Sequence, residues 1–362
     1  MPEPKIPAEF MPLRVKVASW NTAAVNNNPF EYWISSSNPS YDVLMKKFQT
    51  FIENRDNDFC INQILTQKMF DELCKEMLMA RIEGVESLKI LWTDEFSPRM
   101  AIHQFLMDDT IGTKRLASMP DRITNTIHLA DGSILTRPTA INSYDKGSLN
   151  SLNSWWSQWT VYMFHTDVIL INSGDSSIQQ SPQRIYSLIG PLLRSKYPAI
   201  SIDEQAISVA LQILCLAILD AILVYILNLI MPVQWESIRR ELCNALIASK
   251  NSRTCSILVE AYSDHDIIFI QEAAAFFANE ARLLPDLRSK FTLVCPWNMD
   301  AKRNQNSLIL VNKQRFKEES AQDVTQQVCT FFALRFTPFQ IYFSLELLKT
   351  PLQFTLLRDE CV

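Results

Sequence analysis

The most apolar stretch of the chain, residues 206–231, restricts the fold more than any other feature. It is long enough to cross a bilayer, which takes about 20 apolar residues. However, Asp220 lies at its middle, and an Asp there costs roughly 2.5–3.5 kcal/mol on an insertion scale. Gln212 and Asn228 add to this cost, and the N-terminal flank is acidic. The sequence therefore predicts a buried helix, whole or broken. A membrane-associated protein anchored through 206–231 is the alternative that stays open.

Helical signals surround this run. Ser201 and Glu204 form a capping box ahead of it, in which a Ser oxygen and a Glu side chain satisfy early backbone N–H groups. Apolar residues recur every three or four positions, as in amphipathic helices, in the ranges 42–53, 62–81, 235–249 and 252–262. Trp155, Trp159 and Tyr162 have helical spacing, and such an aromatic stripe is typical of a core. The sequence thus predicts a mainly helical region.

The composition indicates an intracellular globular protein. Hydrophobic residues make up 48% of the chain and charged residues 20%, enough for a large core. The net charge of -5 and the lack of a basic block give no electrostatic footprint for non-specific nucleic-acid binding. Eight cysteines without a C-x-x-C pair indicate reduced thiols. The first ten residues contain no apolar signal-peptide core, so we expect a cytoplasmic rather than a secreted protein.

Two segments far apart in the chain are predicted to be neighbouring strands. Residues 14–21 alternate apolar and polar side chains and end at Asn21. Residues 266–272 form a short run rich in β-branched residues that ends in Gln271 and Glu272, as a buried parallel strand does. Parallel strands joined by a right-handed crossover finish at the same edge of a sheet. The Asn21 amide and the Glu272 carboxylate would converge there, and such oxygen donors suit Mg²⁺ or Mn²⁺.

Three segments of the sequence carry a resemblance to a known family. VKVASWNTAA is similar to the opening strand of the endonuclease/exonuclease/phosphatase superfamily. RTCSILVEAYSDHDIIFIQEAA resembles the helix and the Gln-Glu strand of that family, and FTLVCPWNMDAKRNQNSLILVNKQRF resembles the β-hairpin that follows. The resemblance covers about residues 13–24 and 252–316. It implies a magnesium-dependent phosphoesterase, that is, a nuclease or phosphatase hydrolase, with Asn21 and Glu272 as metal-binding residues and Gln271 as their neighbour.

The fold implied by this resemblance is α/β: a partial endonuclease/exonuclease/phosphatase-type α/β sandwich interrupted by a large, mainly α-helical insertion. The predicted organisation comprises four parts. They are a flexible leader at 1–12, a split partial domain at 13–30 and 251–330, a helical insertion at 31–250, and an atypical tail at 331–362. The sequence pattern of the superfamily stops abruptly before that tail, so we expect a truncated or alternatively spliced reading frame.

The later catalytic motifs of the family are absent from this sequence. No glycine follows Gly190, so a Gly-Asp-x-Asn motif cannot be present. The last histidine, His265, precedes Glu272 by seven residues, which along a strand is roughly 23 Å and places it at the opposite edge of the sheet. We therefore expect weak or absent hydrolysis by this chain alone, and no catalytic or substrate-binding residue is assigned.

Other interpretations stay open beside the phosphoesterase. An active chain would act on a phosphate ester: a nucleic acid, a phosphoinositide or a small ester. A non-catalytic scaffold protein would instead work through the helical insertion, because an incomplete sandwich leaves an apolar sheet face and an edge for a protein partner to cover. Asn21 could simply cap its strand, and Glu272 could favour the N-terminus of a following helix. The remaining polar candidates are predicted to be a solvated turn or isolated histidines: Lys302, Arg303, Asn304, Asn306, His103, His128 and His165.

Overall fold

The computed structural model describes most of the chain. Residues 14–25, 27–170, 181–296, 299 and 305–316 are described in full, together with the backbone of four short strands beyond them. The fold is mixed α/β, with 53% helix and 13% strand. It divides into two compact units. We call Met1–Asn26 with Ala245–Val362 the sheet unit and Asn27–Asn244 the helical unit.

Strands are short in both units. In chain order they are β1 (Val17–Asn21), β2 (Thr126–His128), β3 (Ile134–Thr136), β4 (Asp167–Val168), β5 (Gln183–Arg184), β6 (Ile267–Ala273), β7 (Phe291–Val294), β8 (Asn306–Asn312), β9 (Ala321–Asp323), β10 (Leu334–Phe336), β11 (Gln340–Tyr342) and β12 (Thr355–Leu357). The pairs β2–β3, β4–β5, β9–β10 and β11–β12 are two-stranded and antiparallel.

Helices account for most of the rest. In chain order they are α1 (Pro39–Glu53), α2 (Gln67–Met79), α3 (Val85–Leu91), α4 (Asp109–Thr113), α5 (Ser118–Thr124), α6 (Leu152–Thr160), α7 (Ile202–Ala206), α8 (Ser208–Ile230), α9 (Gln234–Cys243), α10 (Lys250–Tyr262), α11 (Ala275–Leu283) and α12 (Pro285–Lys290). Wider π-helical turns follow or lie near several of them, at Trp92–Phe96, Ile102–Leu106, Val161–His165 and Asn244–Ala248.

The sheet unit is built on a four-stranded sheet in the order β1-β6-β8-β7. β1 pairs with β6 in parallel, as the sequence predicts, and β6–β8 and β8–β7 are antiparallel. The two strands of the predicted hairpin, β7 and β8, therefore do pair with each other. The register of β6 against β8 shifts between Ile270 and Ala273, which marks a bulge near the end of β6.

Side chains of β6 alternate between two apolar clusters, as the two-residue period of a strand requires. Ile268 and Ile270 pack with buried residues of α10, α11 and α12, whereas Ile267 and Phe269 belong to a second cluster with Ile309 of β8. Both faces of β6 are thus buried, which explains why its sequence is a continuous apolar run.

The helical unit surrounds α8. α8 packs against α1, α3, α5 and α6 of the same unit. Ile207 separates α7 from α8 at the start of the predicted apolar run, and α8 itself is continuous. The predicted capping box is present, since Ser201 Oγ accepts from the Glu204 N–H at 3.1 Å and the Glu204 carboxylate accepts from the Ser201 N–H at 2.9 Å. Trp155 and Trp159 are fully buried, which confirms the predicted core stripe.

One helix of the described residues, α8, is long and apolar enough to cross a membrane. Within its most apolar window, 67% is buried inside the fold. Its central Asp220 is fully buried and accepts hydrogen bonds from Arg137, Thr139 and Trp159. α8 is therefore covered by its neighbours, as in the core of a soluble protein, and the polar group that disfavours membrane insertion has partners.

Several sequence-based predictions lie outside the described residues. These are the leader at 1–12, the greater part of the tail at 331–362, and the hairpin-loop residues Lys302, Arg303 and Asn304. In the tail, the described backbone consists of β10, β11 and β12.

Candidate metal centre at the edge of the sheet

The parallel pairing of β1 and β6 determines where the candidate residues lie. Asn21, the last residue of β1, is in register with Gln271 of β6. The Thr22 N–H donates to the Gln271 carbonyl at 3.0 Å, which extends the pairing by one step beyond β1. Asn21 and Glu272 consequently lie at the same edge of the sheet, where their side chains accept the N–H groups of the adjacent residues Ala23 and Ala24. The predicted convergence of these two side chains is present.

Glu272 is held as an anion at this edge. Its Oε2 accepts a hydrogen bond of 2.7 Å from the Ala24 N–H. That N–H, followed by the Asn21 side chain, lowers the pKa of the Glu272 carboxyl below its ordinary value, and the charge of Lys250 acts in the same direction. The carboxylate is therefore ionised at neutral pH and available as a ligand for a cation.

The segment after β1 is folded back by the two candidate side chains. Asn21 Oδ1 accepts the Ala23 N–H at 2.8 Å. Ala23 has a φ of 55° and Glu272 a φ of 56°. A left-handed conformation costs a non-glycine residue roughly 1–2 kcal/mol, and such strain is concentrated at functional sites. Hydrogen bonds to both candidate side chains hold this strained turn.

A lysine provides the positive charge beside this edge. Lys250, the first residue of α10, donates from Nζ to the Ala23 carbonyl oxygen. Burial lowers the pKa of Lys250, and the Glu272 carboxylate offsets part of that shift. No sequence motif pointed to Lys250, because it lies more than 200 residues from Ala23 along the chain.

The donor set can be compared with what Mg²⁺ requires. The described residues contain no group of three or more His, Cys, Asp or Glu side chains suited to a metal. The edge offers one carboxylate and one amide oxygen, with Asn21 exposed and Glu272 half-buried. Mg²⁺ usually keeps several waters and binds through one or two carboxylates together with substrate phosphates. The edge supplies one anionic ligand, Glu272, and one amide oxygen that already accepts the Ala23 N–H, so an Mg²⁺ or Mn²⁺ ion here would keep most of its waters.

The other sequence candidates in the sheet unit have structural partners. Gln271 Nε2 donates to Ser19 Oγ at 2.9 Å along the strand pair. Asn306 is buried and donates from Nδ2 to the Ala273 carbonyl at 3.2 Å, beside the bulge. His265 precedes β6 and contacts Asp264 at the end of the strand away from Glu272, as predicted. None of these contacts brings a second acidic ligand or a general base to the edge.

In the helical unit, two histidines have carboxylate partners that their sequence spacing did not reveal. His103 Nδ1 lies 2.9 Å from Asp58 Oδ2, and the Asp58 side chain is only 3% exposed. His165 Nε2 lies 3.1 Å from Glu76 Oε2. The first pair is separated by 45 residues, so no local pattern could have indicated it.

The fold defines a mixed α/β protein with a unit built on a four-stranded sheet and a mainly helical unit. Residues 58–240, half of the chain, match the family described as a domain of unknown function, DUF8234. The chain belongs to that family, and the matched residues lie within the helical unit. No curated protein and no solved structure matches the chain.

Proposed function

We propose that the sheet unit is the metal-binding half of an endonuclease/exonuclease/phosphatase-type α/β sandwich. In this proposal the chain binds Mg²⁺ or Mn²⁺ through Asn21 and Glu272 and contacts a phosphate ester there. The observation that carries it is the parallel register of β1 and β6, which places these two side chains at the same edge, where each accepts a backbone N–H of the turn after β1. The resemblance of three segments to that superfamily supports the same reading.

In this proposal the site supplies the metal ligands of a phosphoesterase but not its other catalytic groups. A bound Mg²⁺ polarises a phosphoryl oxygen and stabilises a leaving group. Glu272 would supply the anionic ligand and Asn21 the neutral one, while the N–H groups of Ala23 and Ala24 orient them. A phosphoesterase also needs a group that activates water, and the described part of the sheet unit brings none to this edge. We therefore propose a cytoplasmic phosphoester-binding protein with little hydrolytic activity by itself.

The test measures cation binding directly. Mn²⁺ is titrated into the full chain, and the free ion is followed by its electron paramagnetic resonance signal. We expect weak saturable binding that becomes at least tenfold weaker in Glu272→Gln, because the variant replaces an anionic ligand by a neutral one of the same shape. Glu280→Gln is the matched control, since Glu280 is an exposed glutamate of the same unit. Absent binding, or equal binding by Glu272→Gln, would refute the metal site.

Hydrolysis needs a separate measurement. With bis(p-nitrophenyl) phosphate and Mg²⁺, we expect a rate no higher than that of the Glu272→Ala variant. Clear Mg²⁺-dependent cleavage by the wild type, abolished in Glu272→Ala, would show that the chain completes a catalytic site.

A second candidate function is an interaction protein that works through the helical unit. The observation that favours it is the family match, which falls on the helical unit rather than on the sheet unit. A protein partner or a second copy would then cover exposed apolar side chains, such as Ile90 at 63% and Met79 at 58% exposure. Size-exclusion chromatography with light scattering checks this idea. A monomer at every concentration, with one cooperative unfolding transition, would argue against it.

A further inference from the structure

A cleft of about 640 Å³ lies within the helical unit, where α7 meets α8. Its walls are α3 with the π-helical turn after it, α4, and the beginning of α8. Small-molecule sites are typically clefts of roughly 300–1,000 Å³ with mainly apolar walls and a few placed polar groups. The apolar side chains that line this cleft include Leu91, Phe96, Ile111, Leu116, Ile207 and Leu211. Its size and walls therefore suit an apolar small molecule.

Two contacts hold the walls of the cleft together. Gly84 precedes α3 and lies so close to Ile207 that an added Cβ would overlap the Ile207 side chain. Lys114 Nζ pairs with Glu204 Oε1 at 2.6 Å, which joins the end of α4 to α7. Glu204 Oε2 accepts the Ser201 N–H, so both oxygens of this carboxylate are engaged. The cleft is thus formed before a ligand arrives, which lowers the ordering cost of binding.

The partly buried charges of the cleft favour an anion. They are Arg99, Lys114 and Glu204, so that two cations and one carboxylate leave one net positive charge. Asp108, the ion-pair partner of Arg99, is not part of the cleft lining and also accepts the Thr110 N–H at the start of α4. Its charge is therefore directed away from the space that a ligand would fill.

The two cations have hydrogen-bond donors to spare. An ammonium has three N–H groups and a guanidinium five, and in the described part of the chain Lys114 and Arg99 each donate to one carboxylate. Two further carboxylates of the lining, Glu95 and Asp203, are exposed, where water and salt screen their charge. An anionic head group in the cleft would thus find donors that no protein group occupies.

We propose that this cleft binds a small amphipathic monocarboxylate, with its apolar chain against α3 and α8 and its head group at Lys114 and Arg99. The single negative charge of such a ligand balances the net positive charge of the partly buried lining. A neutral ligand of the same shape forgoes the charge-assisted hydrogen bonds, and a cationic one is repelled. All lining residues belong to the helical unit and to the range that matches the family, so the inference does not depend on the metal edge.

Calorimetric titration of the full chain tests the class of ligand. Octanoate, 1-octanol and octylammonium have alkyl chains of similar length and differ in the charge of the head group. We expect octanoate to bind about tenfold more tightly than octanol, the effect of one charge-assisted hydrogen bond, and octylammonium to bind most weakly. Absent binding of octanoate, or binding of octanol or octylammonium that is at least as tight, would overturn the proposal.

Three variants locate the site. Lys114→Met removes one cation but keeps an unbranched side chain, and it should lose about tenfold in affinity for octanoate while binding octanol like the wild type. Lys75→Met, at an exposed position of α2 outside the cleft, changes the net charge equally and should bind octanoate like the wild type. Ser87→Phe places a large side chain at the exposed rim and should abolish binding of both probes.

Circular dichroism and thermal unfolding show whether each variant is folded, and the exposed Ser87 position provides a test that does not disturb the Lys114 ion pair. Equal losses in Lys114→Met and Lys75→Met would reveal an effect of net charge alone. Unchanged binding by folded Ser87→Phe would place the ligand outside the cleft. Either result overturns the proposal. The titrations contain no divalent cation, so their failure would leave the proposed metal site standing.

Discussion

Arg137 binds both carboxylate oxygens of Asp220, through Nε at 2.8 Å and Nη2 at 3.1 Å, with both side chains fully buried. Burial alone would lower the pKa of Arg137, but the carboxylates of Asp220 and Asp121 outweigh it and raise the pKa, so the guanidinium stays charged. Thr139 Oγ1 and Trp159 Nε1 complete the contacts of Asp220 at 2.6 and 2.9 Å. A charged residue at the centre of the most apolar helix is thereby tolerated.

The first prediction concerns this pair. Asp220→Asn should lower the free energy of unfolding of the helical unit by about 3–5 kcal/mol, because it leaves the buried charge of Arg137 without its main partner. Urea denaturation followed by tryptophan fluorescence measures it, since Trp159 contacts Asp220 directly. Asp145→Asn, at an exposed loop position, is the control and should stay within about 0.5 kcal/mol of the wild type. Equal stability of the two variants would contradict the structural role of the pair.

The second prediction compares two glycines of the helical unit. Gly84 has a φ of 83°, and an added Cβ would overlap the side chain of Ile207. Gly112 lies inside α4 with open space around it. Gly84→Ala should therefore destabilise the unit by at least about 2 kcal/mol, whereas Gly112→Ala should stabilise it by about 0.5–1 kcal/mol. Thermal unfolding shows whether each substitution raises or lowers the stability. An unchanged stability of Gly84→Ala would contradict the close approach of Gly84 to Ile207.

The third prediction is a pH dependence at Asp58. Burial would raise the pKa of this carboxyl, but the N–H groups of His103 and Ile102 and the His103 ring outweigh burial and lower it. Its ionised form then stabilises the folded state above the ordinary carboxyl pKa of about 3.9, and this stability is lost as the pH falls through the lower folded-state pKa. Asp58→Asn should lower the free energy of unfolding by about 2 kcal/mol at pH 7, and by clearly less at pH 3.

Denaturation of wild type and variant at both pH values measures this difference. Asp56→Asn, at an exposed neighbouring position, should show a small effect at either pH. The free energies of unfolding of Asp58→Asn and the wild type could also differ by the same amount at pH 7 and pH 3. That result would mean that the charge of Asp58 does not stabilise the fold.

The fourth prediction tests the strained turn after β1. Ala23→Gly should stabilise the sheet unit by about 1 kcal/mol, since glycine adopts a positive φ without steric cost. Ala24→Gly is the matched comparison, because Ala24 is not among the residues with positive φ, and it should destabilise by roughly 0.5–1 kcal/mol. Chemical denaturation followed by circular dichroism compares the two. Equal effects of both glycines would argue against a left-handed conformation at Ala23.

Local sequence patterns predicted much of this fold. The alternating residues before Asn21 and the apolar run before Glu272 indicated strands, and the strands are present and parallel. The Ser201 capping box and the buried helix after it were predicted for equally local reasons. Each of these features depends on residues a few positions apart, whose periodicity or hydrogen bonding can be derived from the sequence itself.

Contacts between distant residues could not be predicted in the same way. Arg137 belongs to no sequence motif, yet it is the partner of Asp220, 83 residues away. Lys250 carried no motif, and its approach to Ala23 depends on how α10 meets the end of β1. The π-helical turns could not be predicted from the sequence either, because the spacing of apolar residues in a wide turn is hard to distinguish from that in an ordinary helix.

The parallel pairing of β1 with β6 has a consequence for biosynthesis. The ribosome adds about 5–20 residues per second, so the partner of β1 emerges roughly 10–50 seconds after β1 itself. During that interval the whole helical unit is synthesised and can fold on its own local contacts, while β1 has an unpaired edge. Nascent chains of this protein would thus present an open strand next to a folded helical body, a state in which chaperones that bind extended segments would have time to act.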